Sequence, residues 1–296
     1  MQDIQLDAIT TDRLSLPEFS QRAMEADMLR LDKIHPQVSG NKWFKLRYYL
    51  DEACRQRKKR VVTFGGAWSN HLLATAAACR LKGIACTGVV RGEKPERLSE
   101  MLLQAESLGM ELVYLDRAAF REQEIPEEWY REENYIIRPG GYGIPGAQGA
   151  ATIADYVNHF QEYTHVFCAA GTGTMLAGLL QAATPSQEIT GISVFKNNLS
   201  LEAECRELVN NDNQVNILHD YHSGGYARFT EILIRFMNEW YEQTGIPTDF
   251  VYTGKLCFGV HDLVQKNKLP EGSRILIVHS GGLAGNASLK KGTLIF

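Results

Sequence analysis

The sequence predicts an α/β fold of two open, twisted, mostly parallel sheets flanked by helices, with a site between two domains. Three observations predict it. Short β-branched apolar runs recur along the chain, helical patterns separate them, and several runs end in glycine-rich turns. Near-continuous apolar strands are those covered on both faces, as in parallel sheets with crossover helices.

The expected strands are Val61–Phe64, Ile84–Val90, Glu111–Leu115, Tyr135–Arg138, His165–Ala169, Glu188–Val194, Val215–His219 and Arg274–His279. The expected helices are Lys42–Gln56, Ser69–Lys82, Leu98–Leu108, Gly149–Glu162, Thr174–Ala182, Leu201–Val209, Ala227–Tyr241 and Cys257–Gln265. A closed barrel would want one regular unit per roughly 30 residues. The loops here are unequal and the glycine turns differ in kind, which favours two domains. The Gly/Pro-rich stretch "RPGGYGIPGAQG", Arg138 to Gly149, marks the boundary. It assigns 1–48 and 149–296 to a large domain and 49–148 to a small one.

The chain has 296 residues, 44% of them hydrophobic and 22% charged, with a formal net charge of -4. That balance gives no reason to expect nucleic acid or an anionic membrane as partner. No run of about 18 apolar residues occurs. The start, "MQDIQLDAITTDRL", reads neither as a secretory signal nor as an Arg-rich transit peptide. The expectation is a cytoplasmic protein. Cys54, Cys79, Cys86, Cys168, Cys205 and Cys257 are widely spaced, without C-x-x-C, and read as free thiols. The histidines form no zinc-ligand spacing, so no metal is expected.

Four strand ends carry unusual chemistry: "FGGAWSNH", "RPGGYGIPG", "AAGTGTMLAG" and "HSGGLAGN". Ligands of open α/β sheets sit outside the carboxyl ends of strands. Gly171, Thr172, Gly173 and Thr174 stand at a strand-to-helix turn. Such a turn can cradle a phosphate with backbone N–H groups at a helix N-terminus; a plain tight turn with a threonine cap is the alternative. No G-K-[ST] ends a Walker A loop. The dinucleotide pattern G-x-G-x-x-G fails at Leu176, and the next strand ends in "VFKNN" without an acidic residue for a ribose. This weakens a nucleotide-dependent oxidoreductase.

A phosphate turn without nucleotide signatures, with a lysine at a helix start in "SGNKWFKLRYYL", suggests pyridoxal 5'-phosphate. That cofactor needs an amine, a cradle for one phosphate and a partner for its ring nitrogen. Lys42 could supply the amine. The neighbouring Lys45 and the helix N-terminus would lower its pKa. A solvated surface lysine is the alternative.

"SGNKWFKLRYYLDEA", "GGAWSNHLLATAAA", "AAGTGTMLAGL", "TDFVYTGK" and "IVHSGG", spread from Ser39 to Gly282, together resemble the D-cysteine desulfhydrase and 1-aminocyclopropane-1-carboxylate (ACC) deaminase family. The resemblance implies the tryptophan-synthase-β-like fold of type II pyridoxal-phosphate enzymes, a small amino acid as substrate, and a homodimer whose small domain closes over the site. It makes Lys42 the Schiff-base lysine and the base for the α-proton. Lys45 matches a second family lysine. Asn70 would hydrogen-bond the cofactor's ring hydroxyl. Ser69 would contact the substrate carboxylate or assist as a hydroxyl nucleophile, with His71 beside them. Gly171, Thr172, Gly173 and Thr174 would hold the phosphate, and Tyr252 and Tyr226 would lie near the reacting amino acid. Ser69 can also serve only as a helix cap, and both tyrosines as core aromatics.

Two positions separate the branches. The deaminases resemble "VYEGK" and "HLGG", the desulfhydrases "VYTGK" and "HTGG". This chain has Thr253 and Ser280 there, hydroxyls in both places. A neutral hydroxyl near the ring nitrogen suits loss of a β-leaving group better than opening of an unactivated cyclopropane. The expectation is α,β-elimination from D-cysteine to pyruvate, ammonia and sulfide. ACC deamination to 2-oxobutyrate, or a cofactor-binding protein with little turnover, are the alternatives. Trp43, Phe44 and Trp68 are bulkier than the small or polar residues the family leads one to expect there.

Overall fold

The computed structural model describes residues 3–121 and 129–296. Six strands form one sheet: β1 (Thr11–Arg13), β2 (Glu25–Arg30), β7 (His165–Ala170), β8 (Glu188–Ser193), β9 (Asn216–Leu218) and β10 (Arg274–His279). Their order is β1-β2-β10-β7-β8-β9. The β1–β2 pair is antiparallel and every other pair parallel. A second sheet joins β3 (Arg60–Gly65), β4 (Ala85–Arg91), β5 (Met110–Leu115) and β6 (Asn134–Ile137) in the order β5-β4-β3-β6, all parallel.

The helices are α1 (Pro17–Ser20), α2 (Asn41–Arg55), α3 (Asn70–Lys82), α4 (Glu100–Ser107), α5 (Arg117–Arg121), α6 (Ile144–Ala151), α7 (Thr174–Ala182), α8 (Leu201–Leu208), α9 (Glu231–Thr244) and α10 (Thr253–Gln265). Both faces of the six-stranded sheet are covered, so alternate residues of β10 enter different cores. Leu276 and Val278 pack with Phe44, Leu176 and Leu179, whereas Ile275 and Ile277 pack with Trp240, Leu256 and Val260. Helix α2 belongs to both halves. Its Phe44 joins the core under the large sheet, while Leu46, Leu50 and Ala53 join the core under the small one. Burial of each of these Phe and Leu side chains stabilises the arrangement by about 1.5–3 kcal/mol. Lys42 is therefore fixed by packing on both sides.

All eight expected strands are present, with ends shifted by a residue or two. Strands β1 and β2 were not expected. The reason is charge inside the fold: β2 carries Asp27 and Arg30, both buried. Asp27 accepts a bond from the Tyr163 hydroxyl at 2.8 Å, and Arg30 pairs with Asp12 at 3.0 Å and Asp32 at 2.7 Å. Paired charges can be buried, but they erase the apolar signature of a strand.

The expected helix Gly149–Glu162 needs correction. The helix is Ile144–Ala151, followed by two short 3-10 turns. Pro145 stands in its first turn, where a missing N–H costs nothing, so the Gly/Pro-rich stretch hides a helix. Helix α10 begins at Thr253, four residues ahead of expectation, because a side chain caps it. Asp249 accepts from the N–H groups of Val251, Tyr252 and Thr253 at 3.0, 2.9 and 2.9 Å. Among the described residues no helix is long and apolar enough to cross a membrane.

Candidate active site

The turn before α2 and the turn after β10 interlock. Gly40 has φ 63°, and a Cβ built there would lie 1.9 Å from the Ser280 carbonyl oxygen. Only glycine permits this approach. The Asn41 N–H donates to the same oxygen at 3.2 Å. The lock sets Lys42 outside the carboxyl end of the large sheet, where a ligand is expected.

Lys42 Nζ donates to Asn41 Oδ1 at 2.8 Å and lies 5.5 Å from the centre of the Tyr252 ring. Burial lowers its pKa to about 8, against an opposing pull from Asp249. Lys45 is buried one turn on and forms no hydrogen bond or ion pair among the described residues. Burial first, then the Lys42 charge, lowers its pKa to about 7. The cause thus differs from the expectation: desolvation acts on Lys42, and the like-charge repulsion falls on Lys45.

The turn from β3 to α3 brings Ser69, Asn70 and His71 to the opposite wall. Ser69 caps α3, its Oγ accepting from Leu72 N–H at 3.3 Å. Asn70 is half-buried at the first helical position. His71 is buried, with Nε2 2.8 Å from Thr63 Oγ1. Thr63 gives its only proton to the Ile137 carbonyl at 2.9 Å. His71 Nε2 must therefore carry the ring proton, which leaves Nδ1 as a bare acceptor. That atom is buried without a partner. Burial, then Lys42 and Lys45, pushes the His71 pKa down to about 3, so the ring is neutral.

The turn from β7 to α7 holds Gly171 to Thr174. Gly173 adopts φ 71° at the N-cap, and no side chain caps the helix. The first N–H groups of α7 are thus open to an anion. Thr172 and Thr174 hydroxyls lie 2.9 Å apart. Tyr252 and Tyr226 hydroxyls are 3.5 Å apart, and Tyr226 stacks on Phe195 at 4.9 Å. Burial raises the Tyr252 pKa, so its hydroxyl stays protonated.

These walls enclose a cavity of ≈ 260 Å³. Lys42, Lys45, Ser69, Asn70 and His71 line it, as do Gly171, Thr172, Tyr226 and Tyr252. Thr174 stands behind Thr172, wholly buried. Gly173 is not in the lining either, nor are Thr253 and Ser280. Thr253 is buried, and its hydroxyl donates to Asp249 Oδ1 and accepts from Asp249 N–H, both at 2.7 Å. Ser280 meets Lys42's helix through its carbonyl, as described.

Three residues escaped the sequence reading. Asp249 is wholly buried and takes four donors. Lys255, also buried, donates to the Gly225 carbonyl at 2.7 Å and so holds the loop that delivers Tyr226. Burial lowers its pKa to about 8. Arg91, at the end of β4, lines the cavity. An Asp before a helix start followed by Thr four residues later was the available signal for Asp249.

The site thus offers a lysine amine of lowered pKa, an uncapped helix N-terminus, and a buried unpaired cation in Lys45. No carboxylate lines it among the described residues. These groups fit a cofactor that combines an aldehyde with a phosphate. The comparisons agree. The family model described as "Pyridoxal-phosphate dependent enzyme" matches residues 4–281. A protein of Pyrococcus horikoshii with the provisional name 1-aminocyclopropane-1-carboxylate deaminase is 31% identical over 84% of this chain and 81% of its own length. A D-cysteine desulfhydrase of Klebsiella pneumoniae is 26% identical over 90% of both chains. A solved structure of an ACC deaminase homologue superposes with a TM-score of 0.80 at 26% identity, over 96% of this chain and 94% of that one. A lysine-bearing helix packed against two mostly parallel sheets, an uncapped glycine turn and these relatives lead to one conclusion: the chain belongs to the pyridoxal-phosphate dependent enzymes, in the group of the ACC deaminases and D-cysteine desulfhydrases.

Proposed function

We propose that the enzyme is a lyase that carries out α,β-elimination on a small D-amino acid, with D-cysteine as the parent substrate. One observation supports this above others: no carboxylate lines the cavity among the described residues. Asp249, nearby, already accepts four hydrogen bonds and has no lone pair left to direct at a ring nitrogen. A carboxylate beside that nitrogen would hold it protonated and strengthen the electron sink. Without one, expulsion of a good leaving group such as thiolate is better matched than cleavage of a cyclopropane carbon–carbon bond.

Bound pyridoxal phosphate supplies an electron sink for the carbanion formed at the substrate's α-carbon. The chain's residues do the rest. Lys42 would hold the cofactor through its amine and would take the substrate's α-proton on Nζ. Its lowered pKa keeps a useful neutral fraction near pH 7–8. The α7 turn and Lys45 hold the phosphate. Asn70 takes the ring hydroxyl, and Ser69 at the α3 N-terminus takes the substrate carboxylate, with His71 Nδ1 as an acceptor beside them. Tyr252 and Tyr226 offer hydroxyl protons to the leaving group. Thr253 orders Asp249, and Ser280 orders the start of α2 through its carbonyl. Segment 49–148, which carries the four-stranded sheet and Ser69 to His71, closes over the substrate.

The name of the Pyrococcus relative favours ACC deamination as the second reading. Keto-acid release from D-cysteine, L-cysteine, D-serine, β-chloro-D-alanine and ACC decides between them. Pyruvate from a D-amino acid is the expected outcome. Release of 2-oxobutyrate from ACC alone would reverse the assignment.

A further inference from the structure

A second cavity of ≈ 390 Å³ adjoins the one around Lys42. Gly66, Ser69, Asn70 and Tyr226 line both. Beyond that shared rim the chemistry changes. The first cavity holds Lys42, Lys45 and Arg91. The second has no charged residue in its lining and is walled by Trp68, Phe229, Phe250, Val251 and Leu289. Phe229 meets Phe250 edge to face at 5.6 Å. Trp68 and Phe229 remain 39% and 46% exposed. Large aromatics left in contact with water around a concave surface mark a binding site more often than a packing fault.

We infer that the second cavity seats the substrate's β-substituent, so that the favoured substrates are cysteines carrying a bulky apolar group on sulfur. The inference rests on the elimination reading and names its substrate class. Ser69 and Asn70 stand on the rim common to both cavities, so an amino acid whose carboxylate rests at the α3 N-terminus stands at the mouth of the apolar one. A bare thiol would leave that wall wet. An apolar cavity of roughly 150 Å³ already accepts benzene, so the present one admits a benzyl-sized group. The trade of exposed aromatic surface for a thioether substituent is favourable by its apolar area.

The reaction balances without an oxidant. The α-C–H bond breaks and its proton passes to Lys42. The β-carbon–sulfur bond breaks with its electron pair on sulfur, which takes up a proton as a thiol. The remaining 2-aminoacrylate adds water and loses ammonia. The sum is an S-substituted cysteine plus water giving a thiol, pyruvate and ammonium.

The holoenzyme should be assayed with both enantiomers of cysteine, S-methylcysteine and S-benzylcysteine, following pyruvate and thiol together. kcat/KM for S-benzylcysteine is expected to exceed that for S-methylcysteine by at least about tenfold, as for added apolar groups in a fitting pocket. Leu289→Trp, which fills the cavity, should cut the ratio of the two by a similar factor within one preparation. Phenylalanine, which has no leaving group, should bind more tightly than alanine when followed by quenching of tryptophan fluorescence, and lose that margin in Leu289→Trp. Elimination from cysteine with no gain for the benzyl thioether overturns the inference and leaves the lyase reading standing. Elimination from none of these amino acids overturns both.

Discussion

The two adjoining cavities are built by opposite means. The cofactor side is made of helix starts pinned by backbone contacts: Gly40 against Ser280, the uncapped turn at Gly173, and the three N–H groups gathered by Asp249. Burial lowers the pKa of both of its lysines. The outer side sets the half-exposed Trp68 and Phe229 over the buried Phe250 and Val251. On the proposed reading, the cofactor's place would be fixed by the fold itself, whereas the substrate's place would depend on a few exchangeable surface residues.

The largest effects are expected on the inner side. Lys42→Ala should lower kcat by on the order of 10³-fold and abolish a borohydride-reducible yellow band on that residue; a reducible adduct mapped to Lys45 would reverse the two lysines' roles. Asp249→Asn should cost about 3 kcal/mol in urea unfolding, since one buried oxygen would turn a donor toward backbone N–H groups. It should also move Lys42's titration further below its present value of about 8, because Asp249 is what opposes desolvation. Cofactor capture by the apoprotein, which needs the neutral amine, would then rise at lower pH in stopped-flow absorbance.

Lys45→Met sharpens the contrast between stability and function. The unfolded lysine titrates near 10.5 and the folded one near 7. Between those values the unfolded state holds the extra proton, so apoprotein stability falls as pH drops from 10.5 toward 7. The methionine variant should lose that slope and gain about 2 kcal/mol near pH 7, read as a raised Tm, while binding pyridoxal phosphate roughly 10–100-fold more weakly for want of a charge-assisted contact. The smallest effect belongs to Ser69. As a cap alone, Ser69→Ala costs about 1 kcal/mol and Ser69→Gly only a few tenths. If its hydroxyl also holds the substrate carboxylate, KM rises about equally in both variants; a KM change confined to alanine would reduce Ser69 to a cap.

Sequence legibility follows the same divide. The apolar strands and glycine turns could be read because their local patterns are one-dimensional. Strand β2 could not, since Asp27 and Arg30 are buried only by virtue of partners distant in sequence. The Gly/Pro-rich stretch reads as a boundary between domains, although Pro145 in a first turn starts a helix well. Lys42 could be singled out from its triplet, but the reason for its low pKa is burial, which no triplet encodes. Asp249 and Lys255 act through backbone groups, and Thr253 was placed at the ring because its commitment to Asp249 is visible only in three dimensions. The apolar second cavity left only the bulk of Trp68 as its trace in the sequence.

The interlock of Gly40 with Ser280 has a consequence for how the protein is made. Two turns 240 residues apart must meet before Lys42 has a fixed position, and contacts this distant in sequence carry a large loop-closure cost. A ribosome-bound chain still lacking β10 would have the start of α2 unanchored. On the proposed role of Lys42, loading with the coenzyme would follow the synthesis of that last strand.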